Sequence, residues 1–325
     1  MIQEFLPALE AEIAEQDLGT SPVELYEPIR YLMQLGGKRI RPVLCLLAYS
    51  LFKDSWRKAV APALGIEIFH NFTLMHDDIM DKAPLRRGKQ TVHEKWNDNI
   101  AILSGDVMLV NAYQYLNKTE DLSLAEYQYL CQRFNRTAAE VCEGQQMDMN
   151  FESRGHVQMA EYVEMIRLKT SVLIGLSLET GAILAQTSRE ISDALYRIGE
   201  LIGLGFQLKD DLLDVYGDPE KFGKQPGGDI LSNKKTFLLI RALEQAQGQL
   251  EIDLQGWLAA ENYDPREKVQ AVTAIYNALG IRSATEKEIN QYFDQAFLAM
   301  EELPLEAEKK EGLLKFMHGL VDREV

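Results

Sequence analysis

Cysteine is scarce in this chain of 325 residues, which contains only Cys45, Cys131 and Cys142. None of them has the spacing of a metal site. Cys131 and Cys142 would lie about three turns apart on a shared helix, too far for a disulfide. We therefore expect three free, buried thiols in a reducing compartment. This argues against a cysteine zinc site and against a disulfide framework.

Positive charge is also in short supply, since 34 Lys and Arg residues stand against 50 Asp and Glu residues, a formal net charge of −16. Nucleic-acid phosphates are bound by clustered Lys and Arg, so no nucleic-acid partner is expected. A small anionic substrate remains compatible with this charge, because local bases and metal ions reverse the sign of the field inside one cleft.

Long apolar runs are missing as well. No stretch approaches the roughly 18 uncharged residues that a membrane-spanning helix requires, so no membrane span is expected. The segment Met1–Glu15 is acidic and amphipathic, whereas a signal peptide is basic and then apolar. These features predict a cytoplasmic protein.

Helical periodicity dominates the chain, and alternating strand patterns are scarce. Glycine and proline separate the periodic segments, and no low-complexity linker divides them. Helices are predicted over about Pro22–Leu35, Pro42–Leu51, Arg57–Lys82, Asn97–Asn117, Ser123–Met149, Met159–Ala185, Ile191–Val215 and Lys234–Gln245, with more between Pro265 and Arg323. The sequence predicts an all-α helical bundle, with residues 1–325 forming a single domain.

The strongest feature is an Asp pattern at positions i, i+1 and i+4 that occurs twice. Its members are Asp77, Asp78 and Asp81 in the first triplet, and Asp210, Asp211 and Asp214 in the second. On a helix such residues converge on one face, where their like charges repel. Each triplet follows a long apolar stretch, which places it at the inner end of a core helix.

Desolvated carboxylates need a counter-charge, and sites made only of carboxylates suit Mg²⁺. The six Asp residues are therefore predicted magnesium ligands. Solvated helix ends would explain one triplet more readily than two with identical spacing. Neither triplet has the loop spacing of an EF-hand calcium site, and the absence of His and Cys disfavours zinc.

Basic residues are interleaved with the two triplets. A Gly-Gly turn with attached bases, Gly36–Pro42, suits diphosphate binding through backbone N–H groups and Lys or Arg donors. Further bases are Arg86 and Arg87 after the first triplet, Lys169 upstream of the second, and Lys224, Lys234 and Lys235 downstream of it. A protein that only stores metal ions would not need these bases, whereas a site for two diphosphates would need both the carboxylates and the bases.

Taken together, the motifs resemble the trans-isoprenyl diphosphate synthases, also called polyprenyl synthetases, from about Tyr31 to Leu239. The matching segments are Gly36–Pro42, Asp77–Asp81 with Arg86–Gly88, Lys169–Thr170, Gly205–Asp214, Gly223–Lys224 and Lys234–Thr236. The resemblance implies a helical bundle of the isoprenoid synthase type with a central active-site cavity, usually as a homodimer. It also implies condensation of isopentenyl diphosphate with dimethylallyl, geranyl or farnesyl diphosphate.

By the same resemblance, the first triplet and Asp210 hold a cluster of about three Mg²⁺ ions on the allylic diphosphate. The residues implied for that leaving group are Arg86, Lys169, Lys224 and Lys234. The residues implied for isopentenyl diphosphate are Lys38, Arg41, His70 and Arg87. Those implied beside the reacting carbon chain are Thr170, Phe206 and Gln207. Many members have Pro shortly after Arg-Arg-Gly, but Lys89–Thr91 stands here, which leaves the local loop path open.

The predicted product is short, farnesyl or geranylgeranyl diphosphate. Phe72 lies five residues before Asp77, and in the resembling family an aromatic residue there, next to a small one such as Thr73, is typical of short-chain synthases. Phe72 would then form the floor of the chain pocket, although an ideal helix puts Thr73 nearer the carboxylates. Packing of the ring in the core is the alternative.

Four other functions share some of these features. A terpene cyclase does not need the isopentenyl site that Gly36–Arg41 predicts, and a squalene-type synthase lacks that basic segment. A regulatory, non-catalytic subunit of a synthase commonly loses Asp residues, whereas all six are present here. A structural calcium-binding protein would bind Ca²⁺ without any dependence on diphosphates.

Overall fold

The structure is a computed structural model that describes residues 2–15, 18–119, 121–218 and 227–322. Its backbone divides into two compact units. The first contains Met1–Asn135, Leu173–Arg197 and Leu303–Lys315, and the second contains Arg136–Val172, Ile198–Glu302 and Phe316–Val325. The single-domain organisation therefore stays a prediction. No helix in the described ranges is long and apolar enough to cross a membrane.

The chain is all-α, as predicted, apart from one two-stranded hairpin. From the start to the middle of the chain the elements are α1 (Ile2–Glu15), α2 (Val23–Gln34), α3 (Ile40–Ser50), a 3₁₀ turn (Trp56–Ala59), α4 (Val60–Met80), β1 (Leu85–Arg86), β2 (Lys89–Gln90), α5 (Val92–Lys95), α6 (Asp98–Leu116) and α7 (Leu124–Glu152).

The remaining elements are α8 (Met159–Ile166), a π-helical turn (Arg167–Ser171), α9 (Val172–Leu184), α10 (Arg189–Tyr216), α11 (Gly228–Leu231), α12 (Phe237–Gln245), α13 (Gln249–Ala259), α14 (Pro265–Ala278), α15 (Ile281–Glu302) and α16 (Ala307–Val321). The predicted continuous helix Met159–Ala185 is interrupted by the π turn. Helices α1, α5, α11 and α13 were not among the predicted helices.

In the first unit, the core lies around α4, which packs against α1, α3 and α6. Helix α4 is apolar nearly all round, and Ala63, Leu64, Ile66 and Ile68 have no exposed surface. A helix with this composition is buried from several sides, which fixes its direction and the position of its last turn. That last turn carries the first Asp triplet.

In the second unit, α10 lies against α15 and against the π turn. A Cβ atom at Gly205 would lie 2.8 Å from the Phe293 ring, and one at Gly203 would lie 2.5 Å from the Cα of Ser171. Such close approaches hold α10 in one place, because interiors are packed at crystal density. The end of α10 carries the second Asp triplet.

The three cysteines are free thiols, but they are not all buried. Cys45 is buried, Cys131 is half-buried and Cys142 is exposed. The prediction of three buried thiols was wrong for Cys142, because its position on α7 faces away from the packed side of that helix.

Candidate active site

The first Asp triplet lies at the C-terminal end of α4. Asp77 and Asp78 belong to the last turn, and Asp81 follows the final helical residue, Met80. Asp78 is buried, Asp77 is half-buried and Asp81 is exposed. The negative end of a helix dipole disfavours carboxylates and favours cations. The local field at this helix end therefore attracts a positive partner.

Arg86 supplies one such partner. Its Nε donates to Asp78 Oδ2 at 2.8 Å and its Nη2 donates to Asp78 Oδ1 at 2.7 Å, a bidentate pair. Arg86 Nη2 also lies 3.9 Å from Asp77 Oδ2. Burial raises the pKa of Asp78, although the guanidinium opposes this effect. Arg86 is thus held against the carboxylates, with its side chain partly exposed.

The adjacent Arg87 has a different environment because the chain turns between the two arginines. Strands β1 and β2 form an antiparallel hairpin in which Arg86 pairs with Lys89. The two turn residues, Arg87 and Gly88, have φ values of +52° and +74°. Positive φ at both central positions is typical of a type I′ hairpin turn. Arg87 Nη1 donates to the carbonyl of Gly36.

The basic segment at the start of α3 contains one structural arginine and two bases, a lysine and an arginine, that remain candidates for binding. Arg39 is buried and bonds to Glu10 Oε1 at 2.8 Å and to Glu67 Oε1 at 3.0 Å. It therefore anchors the turn to α1 and α4. Lys38 on one side is exposed and Arg41 on the other is half-buried, so the predicted binding residues flank an anchored one.

His70 lies in the field of these bases. Burial and the positive charges of Arg41, Arg86, Arg87 and Arg39 lower the pKa of His70 well below its usual value. The imidazole is therefore neutral at physiological pH. Four arginines act on one ring, so the bases from two distant segments of the sequence belong to one positively charged region.

Phe72 packs within an aromatic row on α4. Its ring centroid lies 5.6 Å from that of Phe69 and 4.8 Å from that of His76. Phe69 in turn lies 5.2 Å from Phe134. The Thr73 hydroxyl donates to the carbonyl of His70 at 2.8 Å. A role for Phe72 and Thr73 in chain length stays a prediction.

The second Asp triplet is built into a hydrogen-bond network at the end of α10. Asp211 is buried, accepts at Oδ1 from Gln207 Nε2 at 3.0 Å, and accepts at Oδ2 from the Tyr162 hydroxyl. The Thr170 hydroxyl donates to Gln207 Oε1 at 2.9 Å. Burial raises the pKa of Asp211 to about 6, against the lowering effect of Lys234.

Asp214 has a second role, because it holds the following segment. Its Oδ2 accepts from the backbone N–H of Asp229 at 3.0 Å. This bond brings the carboxyl group of Asp229 near the triplet, where burial raises its pKa to about 7. Sequence analysis missed Asp229; the signal that could have found it is an acidic residue directly after Gly227 and Gly228.

Lys169 lies in the π turn and points to a carboxylate that sequence analysis also missed. Its Nζ donates to Asp148 Oδ2 at 2.7 Å. Burial raises the pKa of Asp148, but the ammonium groups of Lys234 and Lys169 outweigh burial and lower it. π turns often mark functional sites, since the extra residue shifts a side chain out of helical register. Asp148 carried no motif of its own.

Several of these groups line a small cleft of about 30 Å³ in the second unit. Its lining residues are Asp148, Tyr162, Met165, Ile166, Lys169, Thr170, Gln207, Asp211, Lys234 and Thr236. The predicted residues Lys169, Thr170, Gln207 and Lys234 thus come together. Phe206 is half-buried on α10, and Lys224 lies outside the described residues.

The donor set fits Mg²⁺ held jointly with a phosphate ligand. Among the described residues, no group of three or more His, Cys, Asp or Glu side chains is arranged to hold a metal ion by itself. Mg²⁺ is commonly bound by one or two carboxylates, several waters and substrate phosphates. In each unit taken by itself, carboxylates at a helix C-terminus have bases nearby, Arg86 in the first unit and Lys234 in the second, and this matches that mode.

Comparisons with known proteins agree with this chemistry. A family model described as polyprenyl synthetase matches residues 22–278. The geranylgeranyl diphosphate synthase of Methanosarcina mazei is 41% identical over 237 residues, 73% of this chain and 72% of that protein. The short chain isoprenyl diphosphate synthase of Methanothermobacter thermautotrophicus is 33% identical over 326 residues, 100% of this chain and 98% of that protein.

A solved structure gives the same result for the fold. The crystal structure of a geranylgeranyl pyrophosphate synthase superposes with a TM-score of 0.94 at 41% identity, and the match covers 100% of this chain and 99% of that one. The predicted enzyme class, an isoprenyl diphosphate synthase with prenyltransferase activity, is thereby confirmed, and the chain belongs to the polyprenyl synthetase family.

Proposed function

We propose that this enzyme condenses isopentenyl diphosphate with an allylic diphosphate and releases a short all-trans product, geranylgeranyl or farnesyl diphosphate. The observation that carries the proposal is the bidentate pair between Asp78 and Arg86 at the negative end of α4. This pair places carboxylates, which suit Mg²⁺, beside a guanidinium group, which suits a phosphate. The names of the relatives, geranylgeranyl and short chain synthases, support a short product.

The first triplet, Asp77, Asp78 and Asp81, would hold Mg²⁺ for the allylic diphosphate together with Asp210. When bound, Mg²⁺ neutralises charge that develops on the departing diphosphate. We propose that all three carboxylates of the second triplet serve this metal site, with Asp210 as a ligand. Hydrogen bonds from protein groups orient the carboxylates of Asp211 and Asp214 toward that role.

The basic residues divide between the two substrates. In this proposal Arg86, Lys169, Lys224 and Lys234 bind the allylic diphosphate, while Lys38, Arg41, His70 and Arg87 bind isopentenyl diphosphate. The neutral His70 donates one hydrogen bond and adds no further charge to a region that already has several arginines. These donors stabilise the leaving group electrostatically as the allylic C–O bond breaks.

Thr170, Phe206 and Gln207 line the reacting carbon chain. The apolar faces of Met165 and Ile166 help to exclude water, which would otherwise quench the allylic cation. The double bond of isopentenyl diphosphate attacks that cation, and the departing diphosphate accepts the proton that is lost. The bond from Thr170 to Gln207 fixes the orientation of both side chains before the substrate arrives.

The test is a condensation assay with labelled isopentenyl diphosphate, Mg²⁺ and each allylic primer in turn, followed by chromatography of the products. Asp77→Ala and Asp210→Ala should each lower kcat about a hundredfold or more with the fold intact. Asp253→Ala is the matched control, since that exposed carboxylate accepts a hydrogen bond from Gln249 on α13 and does not line the cleft. Normal activity of the Asp77 or Asp210 variant, or of the native enzyme in excess chelator, contradicts the proposal.

We also propose a homodimer that acts in the cytoplasm as a single functional domain. Ile102, Leu103 and Val110 on α6 are 42%, 57% and 56% exposed and share one side of the helix, an apolar patch that suits association. Leu103→Glu should convert the dimer to a monomer in analytical ultracentrifugation. A native chain that sediments as a monomer contradicts this proposal.

A further inference from the structure

The buried lysine Lys268 has taken no part in the site so far. It lies on α14 and is only 1% exposed. Its Nζ donates to Asn233 Oδ1 at 2.7 Å and to the carbonyl of Leu231 at 3.5 Å, and it lies 4.4 Å from the centroid of the Tyr263 ring. Lysine is almost never fully buried, because its ammonium group is costly to desolvate. Leu231 and Asn233 belong to the short segment of residues 227–234, and the Tyr263 hydroxyl donates to the carbonyl of Leu231 in the same segment.

That segment is residues 227–234, and α14 holds both of its ends. At the start, a Cβ atom on Gly227 would lie 2.6 Å from Val269 Cγ2, so the backbone is pressed against α14. At the end, Asn233 has a φ value of +53°, a left-handed conformation that costs free energy for a residue other than glycine. Asn233 also donates from Nδ2 to the carbonyl of Leu258 at 3.1 Å.

The next residue after the strained Asn233 is Lys234. Its backbone N–H bonds to the carbonyl of Asp229 at 2.9 Å, and its side chain lines the cleft beside Asp148 and Asp211. The direction in which Lys234 leaves the backbone is set by the left-handed turn before it. Lys268 fixes that turn by bonding the Asn233 side chain.

We infer that Lys268 is a positioning residue for Lys234: through Asn233 and Leu231 it holds the turn that directs the Lys234 ammonium into the cleft. The inference rests on the proposed role of Lys234 in binding the allylic diphosphate. Lys268 lies 34 positions after Lys234 in the chain. It is buried on α14, and it would act on the substrate only through Lys234.

The test compares Lys268→Met, Lys234→Ala and the double variant, with geranyl diphosphate as the allylic primer, since it is elongated whether the product is farnesyl or geranylgeranyl diphosphate. Methionine keeps the length of the side chain and removes its donors. Lys268→Met should raise the KM for geranyl diphosphate about tenfold and leave the KM for isopentenyl diphosphate unchanged. In the Lys234→Ala background, Lys268→Met should have no further effect, because both substitutions remove the same interaction between the Lys234 ammonium and the primer.

Two more variants separate positioning from stability. Asn233→Gly permits the left-handed turn but removes the acceptor of Lys268, so it should also raise the KM for geranyl diphosphate. It remains available if Lys268→Met does not fold. Thr285→Val is the control: its buried hydroxyl donates to the carbonyl of Ile281 at 2.8 Å on α15, away from the segment. It should lower the melting temperature without changing either KM.

The outcomes distinguish the inference from the proposed function. If Lys234→Ala raises the KM for geranyl diphosphate but Lys268→Met and Asn233→Gly do not, the inference alone is wrong. It is equally wrong if Lys268→Met has its full effect in the Lys234→Ala background. If Lys234→Ala leaves that KM unchanged, the proposed role of Lys234 fails, and the inference fails with it.

Discussion

Helix α7 packs closely on the π turn, and we therefore expect that adding one methyl group at Gly144 of α7 displaces this turn. A Cβ atom at Gly144 would lie 2.3 Å from the backbone N of Lys169 and 2.7 Å from its Cα. These are backbone atoms, which cannot rotate away as the end of a side chain can. Gly144→Ala must therefore push the π turn and α7 apart by several tenths of an ångström or more, and Lys169 moves with the turn.

A matched substitution in an open position isolates this contact. Gly256 lies inside α13, and a Cβ atom there meets nothing within 4 Å. Both Gly→Ala changes gain roughly 1 kcal/mol of helix propensity. Only Gly144→Ala adds overpacking, which typically costs about 1–3 kcal/mol. The free energy of unfolding of Gly144→Ala should thus lie about 1–3 kcal/mol below that of Gly256→Ala.

Urea and thermal unfolding measure this difference, and steady-state kinetics measure its consequence. A displacement of Lys169 from Asp148 should lower kcat/KM for the allylic primer about tenfold to a hundredfold. Gly256→Ala should retain the native rate and be slightly more stable. If Gly144→Ala is as stable and as active as Gly256→Ala, the close approach of the two backbones, and with it this account of how Lys169 is held, is wrong.

Three further predictions concern substrate choice, product length and cysteine reactivity. Arg87→Ala should raise the KM mainly for isopentenyl diphosphate and Arg86→Ala mainly for the primer, because the hairpin turn separates the two guanidinium groups; equal effects on both substrates would contradict this division. Phe72→Ala should lengthen the product seen by chromatography if the ring closes the chain pocket, whereas lower stability with unchanged product indicates a core role. Iodoacetamide at neutral pH should label Cys142 and spare Cys45, because Cys142 is exposed whereas Cys45 has no exposed surface; rapid labelling of native Cys45 would refute its burial.

The network around Asp211 explains why the two triplets, identical in spacing, differ in chemistry. In the first, Asp78 is paired with a charged arginine that follows on a hairpin. In the second, Asp211 is bonded by the neutral groups of Tyr162 and Gln207. A carboxylate that accepts two hydrogen bonds from fixed donors is oriented without being neutralised. Its negative charge remains available to attract cations to the cleft.

Local sequence was sufficient for much of this enzyme. The spacing of Asp77, Asp78 and Asp81 determined that they share a helix end, because helical geometry depends only on neighbours along the chain. The same applies to the long apolar run of α4, whereas the path of the chain at Arg87 and Gly88 was left open by the sequence and is known from the structure. Motif order then identified the family.

Only the tertiary structure decided the features that depend on distant segments. No local sequence pattern predicts the π turn at Lys169. Helix α7 packs so closely on this turn that a Cβ atom at Gly144 would lie 2.3 Å from the backbone N of Lys169. Asp148 and Tyr162 became site residues because their helices pack beside α10, and Lys268 because α14 packs on residues 227–234. Burial and long-range hydrogen bonds arise when the chain folds, so a sequence read position by position determines which groups exist but not which of them meet.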